Sequence, residues 1–336
     1  IKIYNKLKSI KSSFYKEAPV DWNRYRIKNI VNKNTYYPIG DGDHGSIKPE
    51  MYQEDGIPYI RVQNLSWDGE ITFSGMAYIS QKTQISNKKS ILYPGDILIA
   101  KTGATIGKLG LMPESIQEAN TTSSVGKVTV DKTRFDPKYI LYCIQSTIFQ
   151  DQIWLEASQK SAQPGFNIDD LIAFEILSPN LEVQKQIALH LDHQTSIIDQ
   201  LIEKKQKLIE LLKEKRQAVI NESVTKGLDP NVKMKDSGIE WLGEVPEHWK
   251  VKPLKHLGSL KGRLGWKGLK AEEYVESGYG FLSTPDIKSD FIDFKKINFI
   301  TEERFLESPE IILEIGDVLL VKDGSTLGIV NMIKEL

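Results

Sequence analysis

Residues 181–221 read LEVQKQIALHLDHQTSIIDQLIEKKQKLIELLKEKRQAVIN, without a Pro or a Gly. Ile198, Leu201, Leu208, Leu212 and Val219 fall on an a/d ladder that Lys205 and Lys215 interrupt, and Ile202 and Ile209 widen the stripe on one side. Apolar residues at this spacing share one face of an α-helix. Pro179 and Asn180 punctuate its start, and Gly227 and Pro230 close the region after it. At 1.5 Å per residue the helix is roughly 60 Å long, too long to lie across one small domain. Glu203, Lys204, Lys207, Glu210, Lys213 and Glu214 sit mostly opposite the stripe and read as a solvated coiled-coil face. The stripe itself needs a partner helix.

On either side of this helix the same pattern occurs twice. GDILIAKTGATIGKLGLM (95–112) is answered by GDVLLVKDGSTLGIVNMI (316–333) at one constant offset, which sets Gly95, Asp96, Lys101, Gly103 and Gly107 opposite Gly316, Asp317, Lys322, Gly324 and Gly328. GIPYIRVQNL (56–65) is echoed by GYGFLSTPDI (278–287), and DWNRYRIKNI (21–30) by HWKVKPLKHL (248–257), with Trp22 opposite Trp249 as core anchors. Three echoes in one order predict a domain, a long helix and a copy of the domain. The reading is an α+β fold: two repeated domains, rich in short strands with helices, separated by a long coiled-coil-type helix. The boundaries are 1–178, 179–225 and 226–336. By this register Leu336 matches Ser115, so the second domain is expected to be incomplete, lacking roughly a hundred residues of the repeat.

Within the first copy, 24–31 alternates as a strand or short helix, and GDGDHG (40–45) is loop chemistry. Pro94-Gly95 turns into a buried strand over 97–100, then a Gly-rich loop and a second strand. SSVGKVTV (123–130) is a further strand, and 136–158 reads as one helix with Pro137 near its start.

The totals are ordinary. The chain has 336 residues, 40% hydrophobic and 26% charged, and a net charge of −1, so overall charge makes no case for nucleic acid. Local basic runs exist: Lys2, Lys6, Lys8 and Lys11, and a stretch over 250–270 that holds Lys and Arg but no Asp or Glu. Cys143 is the lone cysteine and sits in the apolar run YILYCI (139–144), which excludes an intrachain disulfide and a Cys-rich zinc site. No apolar run reaches spanning length, and the start lacks the apolar stretch of a signal peptide. The expectation is a cytoplasmic protein.

Catalytic motifs fail on inspection. KTGATIGKL invites a phosphate-loop reading, but only three residues separate Gly103 and Gly107 where four are needed, and Leu109 follows the Lys. GDGDHG resembles half of a calcium loop without its downstream Glu. His190 and His193 share a helix face without an acidic partner motif, and no metal is expected. The chain reads as a non-catalytic binder.

SGIEWLGEVPEHWKVKPLKHLG (237–258) resembles the entry to a target-recognition domain in the specificity subunit of type I restriction–modification systems. GDILIAKTGATIGKLG is similar to that family's central strand-loop-strand. Gln163, Asn167 and Leu171 lie in a segment resembling the polar stretch before its conserved helix. Pro179, Gln184, Ile187, Leu191 and Asp192 resemble the helix entry, although Val183 stands where the family more often has Glu. The resemblance implies a non-catalytic DNA sequence-specificity subunit that reads a bipartite target in double-stranded DNA. It implies two target-recognition domains, the second incomplete here, and helices that space them and dock methyltransferase subunits, two of them expected. It further implies restriction subunits as partners, S-adenosylmethionine in the methyltransferase and ATP with Mg in the restriction subunit. Self-association through the helix positions Ile198, Leu201, Leu208, Leu212 and Val219 is a further expectation. The alternatives are the recognition part of a fused restriction–methylation enzyme, and a coiled-coil interaction adaptor.

Base reading needs polar side chains on exposed loops. The candidates in the first copy are Arg61, Gln63 and Asn64; Lys101, Thr102, Thr105 and Lys108 around the Gly-rich turn; and Ser158, Lys160, Ser161 and Gln163 before Pro164-Gly165. The second copy offers Thr284, Asp286, Lys322, Ser325 and Thr326.

Overall fold

The structure is a computed structural model that describes residues 6–159, 164–262 and 268–335. It divides into two compact units, Ile1–Leu212 and Lys213–Leu336.

Unit 1 begins with an antiparallel hairpin, β1 (Leu7–Ser9) and β2 (Glu17–Pro19), followed by β3 (Asn23–Arg26) and a 3-10 turn over Ile27–Asn29. The next strands are β4 (Ile39–Asp41), β5 (Ile57–Ile60), β6 (Ala77–Ile79), β7 (Ile97–Ala100), β8 (Leu109–Leu111), β9 (Asn120–Thr121), β10 (Val125–Val128) and β11 (Glu175–Ser178). They form a four-stranded sheet in the order β4-β10-β7-β8, a three-stranded sheet β6-β5-β9, and the pair β11-β3. Ile97, Leu98, Ile99 and Ala100 are all fully buried. A run of four apolar residues flanked by strands on both edges is what a central strand covered on both faces requires.

The helices are α1 (Gln81–Ser86), α2 (Pro137–Gln145), α3 (Thr147–Ser158), α4 (Ile168–Ala173) and the long α5 (Leu181–Lys226). The single helix expected over 136–158 is two. Asp136 caps α2, with Pro137 at its first position. Ser146 then leaves the helix with ψ 146°, and its hydroxyl donates to the Cys143 carbonyl at 2.6 Å while its side chain caps α3. A serine offering the backbone a local partner breaks a helix that apolar spacing alone would continue. The main core packs Ile27, Ile30, Ile97, Ile99, Ile106 and Leu109 against Phe135, Tyr139, Ile140, Phe149, Ile153 and Phe174. Trp22 packs on its margin. Burial pushes the Cys143 thiol up to about 12, which leaves it inert at neutral pH.

α5 is 46 residues long, about 69 Å at the α-helical rise. Its first turns belong to unit 1. Gln184 is fully buried, accepts from the Asp136 N–H at 2.9 Å and donates to the Pro179 carbonyl at 2.9 Å. Asp192 accepts from Lys138 at 2.6 Å and from the Tyr142 hydroxyl at 2.9 Å. Beyond it Ile198, Leu201, Leu208, Leu212 and Val219 are all exposed.

Unit 2 repeats part of unit 1. Its strands are β12 (Met234–Asp236), β13 (Glu244–Pro246), β14 (Tyr279–Phe281), β15 (Asn298–Ile300), β16 (Val318–Leu320) and β17 (Val330–Met332), with α6 (Glu302–Leu306) after β15. The pairs β12-β13, β14-β15 and β16-β17 match β1-β2, β5-β6 and β7-β8. Leu7 pairs with Pro19 and Met234 with Pro246, both 227 positions on. The repeat therefore includes the N-terminal hairpin. The packing differs. Leu254, Leu257, Val318, Leu320, Leu327 and Val330 stand at the positions of Ile27, Ile30, Ile97, Ile99, Ile106 and Leu109, yet they are exposed where those six are buried. In unit 1 this face is closed by residues of β11 and α2 to α4; among the described residues of unit 2 there is no such layer.

Candidate nucleic-acid interface

The Gly-rich segment is a hairpin loop. β7 and β8 are antiparallel, Ile97 opposite Leu111, and Gly103 and Gly107 take φ of 79° and 87°. A phosphate loop needs a helix after the strand, and here a strand follows. Gly324 and Gly328 in unit 2 have φ of 87° and 86°, so the same turn is built twice.

Sheet order brings four other segments to this loop. The Lys101 N–H donates to the Ser124 carbonyl at 2.8 Å, and the Lys101 carbonyl accepts from the Phe166 N–H at 3.1 Å. Gly103 donates to the Pro164 carbonyl at 3.2 Å. Thr121 links the remaining two, since it pairs with Ile60, just before Arg61, and its carbonyl accepts from the Asp43 N–H at 2.9 Å. The 42–46 loop can approach so closely only because of Gly42, where a Cβ would sit 2.1 Å from the Thr121 carbonyl oxygen. One edge of unit 1 thus gathers loops 42–46, 61–64, 101–108, 121–124 and 164–166.

The electrostatics of this edge are partly closed. Lys101 is buried, and its Nζ lies 2.5 Å from Asp41 Oδ2. His44 Nε2 lies 3.1 Å from the other oxygen of Asp41. Burial pushes the Asp43 carboxyl up, but the Ser46 hydroxyl and the Ile47, Ser46 and Gly45 N–H groups outweigh it and hold Asp43 below the ordinary carboxylate range. Its oxygens are therefore occupied by donors, and the half-calcium-loop pattern is a backbone-binding turn. Burial pushes the Tyr59 hydroxyl beside it upward.

The candidate residues divide by exposure. Gln63, Ser158, Thr284, Lys322 and Ser325 are exposed, and Arg61, Thr102, Thr105, Lys108 and Thr326 are half-buried. Arg61 donates to the Gly75 carbonyl at 2.9 Å and lies over the Tyr52 ring at 5.5 Å. Three positions contradict the expectation of an exposed reader. Asn64 is fully buried; its Oδ1 accepts from the Arg61 N–H at 3.0 Å and its Nδ2 donates to the Thr72 carbonyl at 3.1 Å. Asp286, at the same place in unit 2, is buried and accepts from the Ser283 N–H at 2.8 Å. Both are turn caps. Lys101 is the third, a buried ion-pair partner that fixes the loop. Lys160, Ser161 and Gln163 lie outside the described residues. The Asp41–Lys101 pair spans sixty positions, and only the strand order places β4 two strands from β7.

A model of the type I restriction modification DNA specificity domain matches residues 19–211, over half of the chain. The chain belongs to this family. It is 27% identical over 330 residues to the type I restriction enzyme MjaVIII specificity subunit of Methanocaldococcus jannaschii, covering 94% of this chain and 69% of that protein. It is 27% identical over 184 residues to the EcoBI specificity subunit of Escherichia coli, covering 54% of this chain and 37% of that protein. The crystal structure of the HsdS subunit from Thermoanaerobacter tengcongensis superposes with a TM-score of 0.54 at 15% identity, over 97% of this chain and 76% of that one. That likeness concerns the fold. Among the described residues no helix is long and apolar enough to cross a membrane.

Proposed function

We propose that this family member is a DNA sequence-specificity subunit of a type I restriction–modification assembly, in which unit 1 reads one part of a bipartite target and unit 2 contributes to reading the other. The observation that carries this reading is the loop edge around Lys101, where five segments distant in sequence converge and whose hairpin recurs in unit 2. Loops on a fixed strand frame can vary their polar side chains without altering the fold, which is the requirement for reading different sequences. In this reading α5 spaces the readers, and its exposed stripe pairs with another helix when methyltransferase subunits dock. Catalysis then lies with the partners: S-adenosylmethionine with the methyltransferase, ATP and Mg with the restriction subunit.

The test is reconstitution with the methyltransferase of the same system and labelled S-adenosylmethionine, on DNA whose methylated sites are then mapped. The expected result is site-specific methylation that needs both proteins. Methyl transfer by this chain alone, or sites unchanged when loop 101–108 is replaced by the corresponding loop of another family member, refutes the reading.

A further inference from the structure

Beside the Lys101 edge lies a surface that the reading above leaves unused. Asn87, at the end of α1, places its Oδ1 2.7 Å from the Ser46 hydroxyl. Its carbonyl accepts from the Asn120 amide at 3.3 Å. The turn Lys88–Ser90 is therefore fixed to the 42–46 loop. Lys89 Nζ stands 4.9 Å from the centroid of the Tyr37 ring, which meets Tyr36 edge-on at 4.8 Å. Both tyrosines are exposed.

Tyr37 has φ of 53°, the one positive value outside glycine among the described residues, and Pro38 follows it. A bulky residue in the left-handed region is strained, and such strain persists where the surroundings hold it. Here it keeps two aromatic rings on the surface. The segments on either side of them in sequence, and α1 with the turn after it, carry lysines. Lys33, Lys48, Lys82, Lys88 and Lys89 are exposed, and among the described residues none of the five is within ion-pair distance of a carboxylate. Asp41 is paired with Lys101, and Asp43 is saturated by donors. Glu118 lines the same hollow as Tyr36 and Lys88.

Unit 2 supplies a contrast. At the offset of 221 that relates Gly103 to Gly324, Lys88 and Lys89 become Pro309 and Glu310. The turn itself is retained, as Pro309–Ile311. Backbone architecture is thus repeated, while Lys88 and Lys89 have no cationic counterpart in unit 2.

We propose that Tyr36, Tyr37, Lys88 and Lys89 form a strip that grips the sugar–phosphate backbone of duplex DNA beside the loops that read its bases. The lysines neutralise phosphates and the tyrosine hydroxyls donate to phosphate oxygens; such contacts fix register and carry no sequence information. The strip makes the two units unequal, since unit 1 holds DNA more tightly than unit 2. This inference rests on the DNA-binding reading of unit 1.

The test is fluorescence anisotropy of a labelled duplex with the full chain across a salt series. For Lys88→Glu/Lys89→Glu the slope of log K against log salt should fall by about two. Affinity at 100 mM salt should fall on the order of tenfold to a hundredfold, by the same factor on target and unrelated duplexes. Tyr36→Ala should weaken binding by a smaller factor, and Lys89→Arg should keep the wild-type slope. A charge-reversed variant with native circular dichroism and an unchanged slope overturns the strip while leaving the DNA reading intact. A loss confined to the target duplex also overturns it, because the lysines would then be reading bases. If the wild-type chain binds no duplex at any salt, the DNA reading itself fails and the strip with it.

Discussion

Ile99 and Leu320 occupy one position of the repeat, in the first strand of the same hairpin, and differ in burial: Ile99 is 0% exposed and Leu320 62%. Truncation to alanine should therefore separate them. Ile99→Ala removes three carbons from a close-packed core and leaves a cavity that neighbouring β-strands cannot collapse into, at a cost of about 2–5 kcal/mol. Leu320→Ala removes side-chain atoms already in water and should change stability by about 0.5 kcal/mol or less. With an m-value of about 2–3 kcal/mol/M in urea, the first change moves the unfolding midpoint of unit 1 by about 0.7–2.5 M. The second leaves the midpoint of unit 2 in place. Two units need not unfold in one step, so the assay is hydrogen exchange by mass spectrometry, followed separately in peptides covering 97–111 and 318–332. Ile99→Ala should raise exchange in the first peptide by the factor that its free-energy cost implies, with the second unaffected. Equal losses from both substitutions would refute the argument, because Leu320 would then be packed against something in solution.

Lys101→Met should leave Asp41 without its 2.5 Å partner and cost on the order of 2 kcal/mol, less than a fully buried pair because Asp41 keeps some solvent and His44; thermal unfolding measures it, and Asp41→Asn in the same chain should recover part of the loss. Leu201→Glu/Leu208→Glu should leave the melting of unit 1 unchanged, since both residues are exposed, while abolishing helix pairing; light scattering of the reconstituted complex reports this, and an unchanged mass with unchanged methylation would contradict it. Asp43 makes a pH prediction. Its carboxyl is held below its ordinary value of 3.8, so the ionised form is favoured by folding: its contribution is complete above that value and is lost as pH falls through the lower folded value. The stability difference between wild type and Asp43→Asn, from urea titrations, should therefore be constant near neutrality and shrink below pH 3.8; a difference that stays flat to the acid limit of folding would exclude the mechanism.

Periodicity and spacing made the frame legible. The stripe from Ile198 to Val219 announces α5, and the run from Ile97 to Ala100 announces the central strand, because both patterns are generated by local geometry. The offset between Gly103 and Gly324 announces the repeat, because left-handed φ restricts the residue and so preserves it in both copies. The break at Ser146 is not legible in the sequence, since a hydroxyl that caps a new helix reads the same as one on a helix surface. The readers were partly misplaced for a related reason. Asn64 and Lys101 are polar residues next to turns, which is how exposed readers look, but Asn64 spends its amide on backbone groups and Lys101 is matched by a carboxylate sixty positions away. Composition does not encode that partner, and topology does. The strip at Tyr36 and Lys89 left no motif at all, since it joins a loop before β4 to a turn after α1.

The two units also separate what holds the loops from what the loops display. Asn64 and Asp286 cap the same turn, Asp96 and Asp317 accept from the N–H three residues earlier at 2.9 Å in both units, and Ser80 and Thr301 cap the same helix. These positions must keep a side-chain acceptor or the backbone donors they satisfy become orphaned. Around them the displayed residues change: Arg61 to Ser283, Thr102 to Asp323, Lys108 to Ile329, Lys89 to Glu310. A protein whose two copies served one identical ligand would gain nothing from that divergence. A protein whose copies read different halves of one target needs it, because hydrogen-bond donors and acceptors must be rearranged from one base pattern to the next while the frame stays fixed.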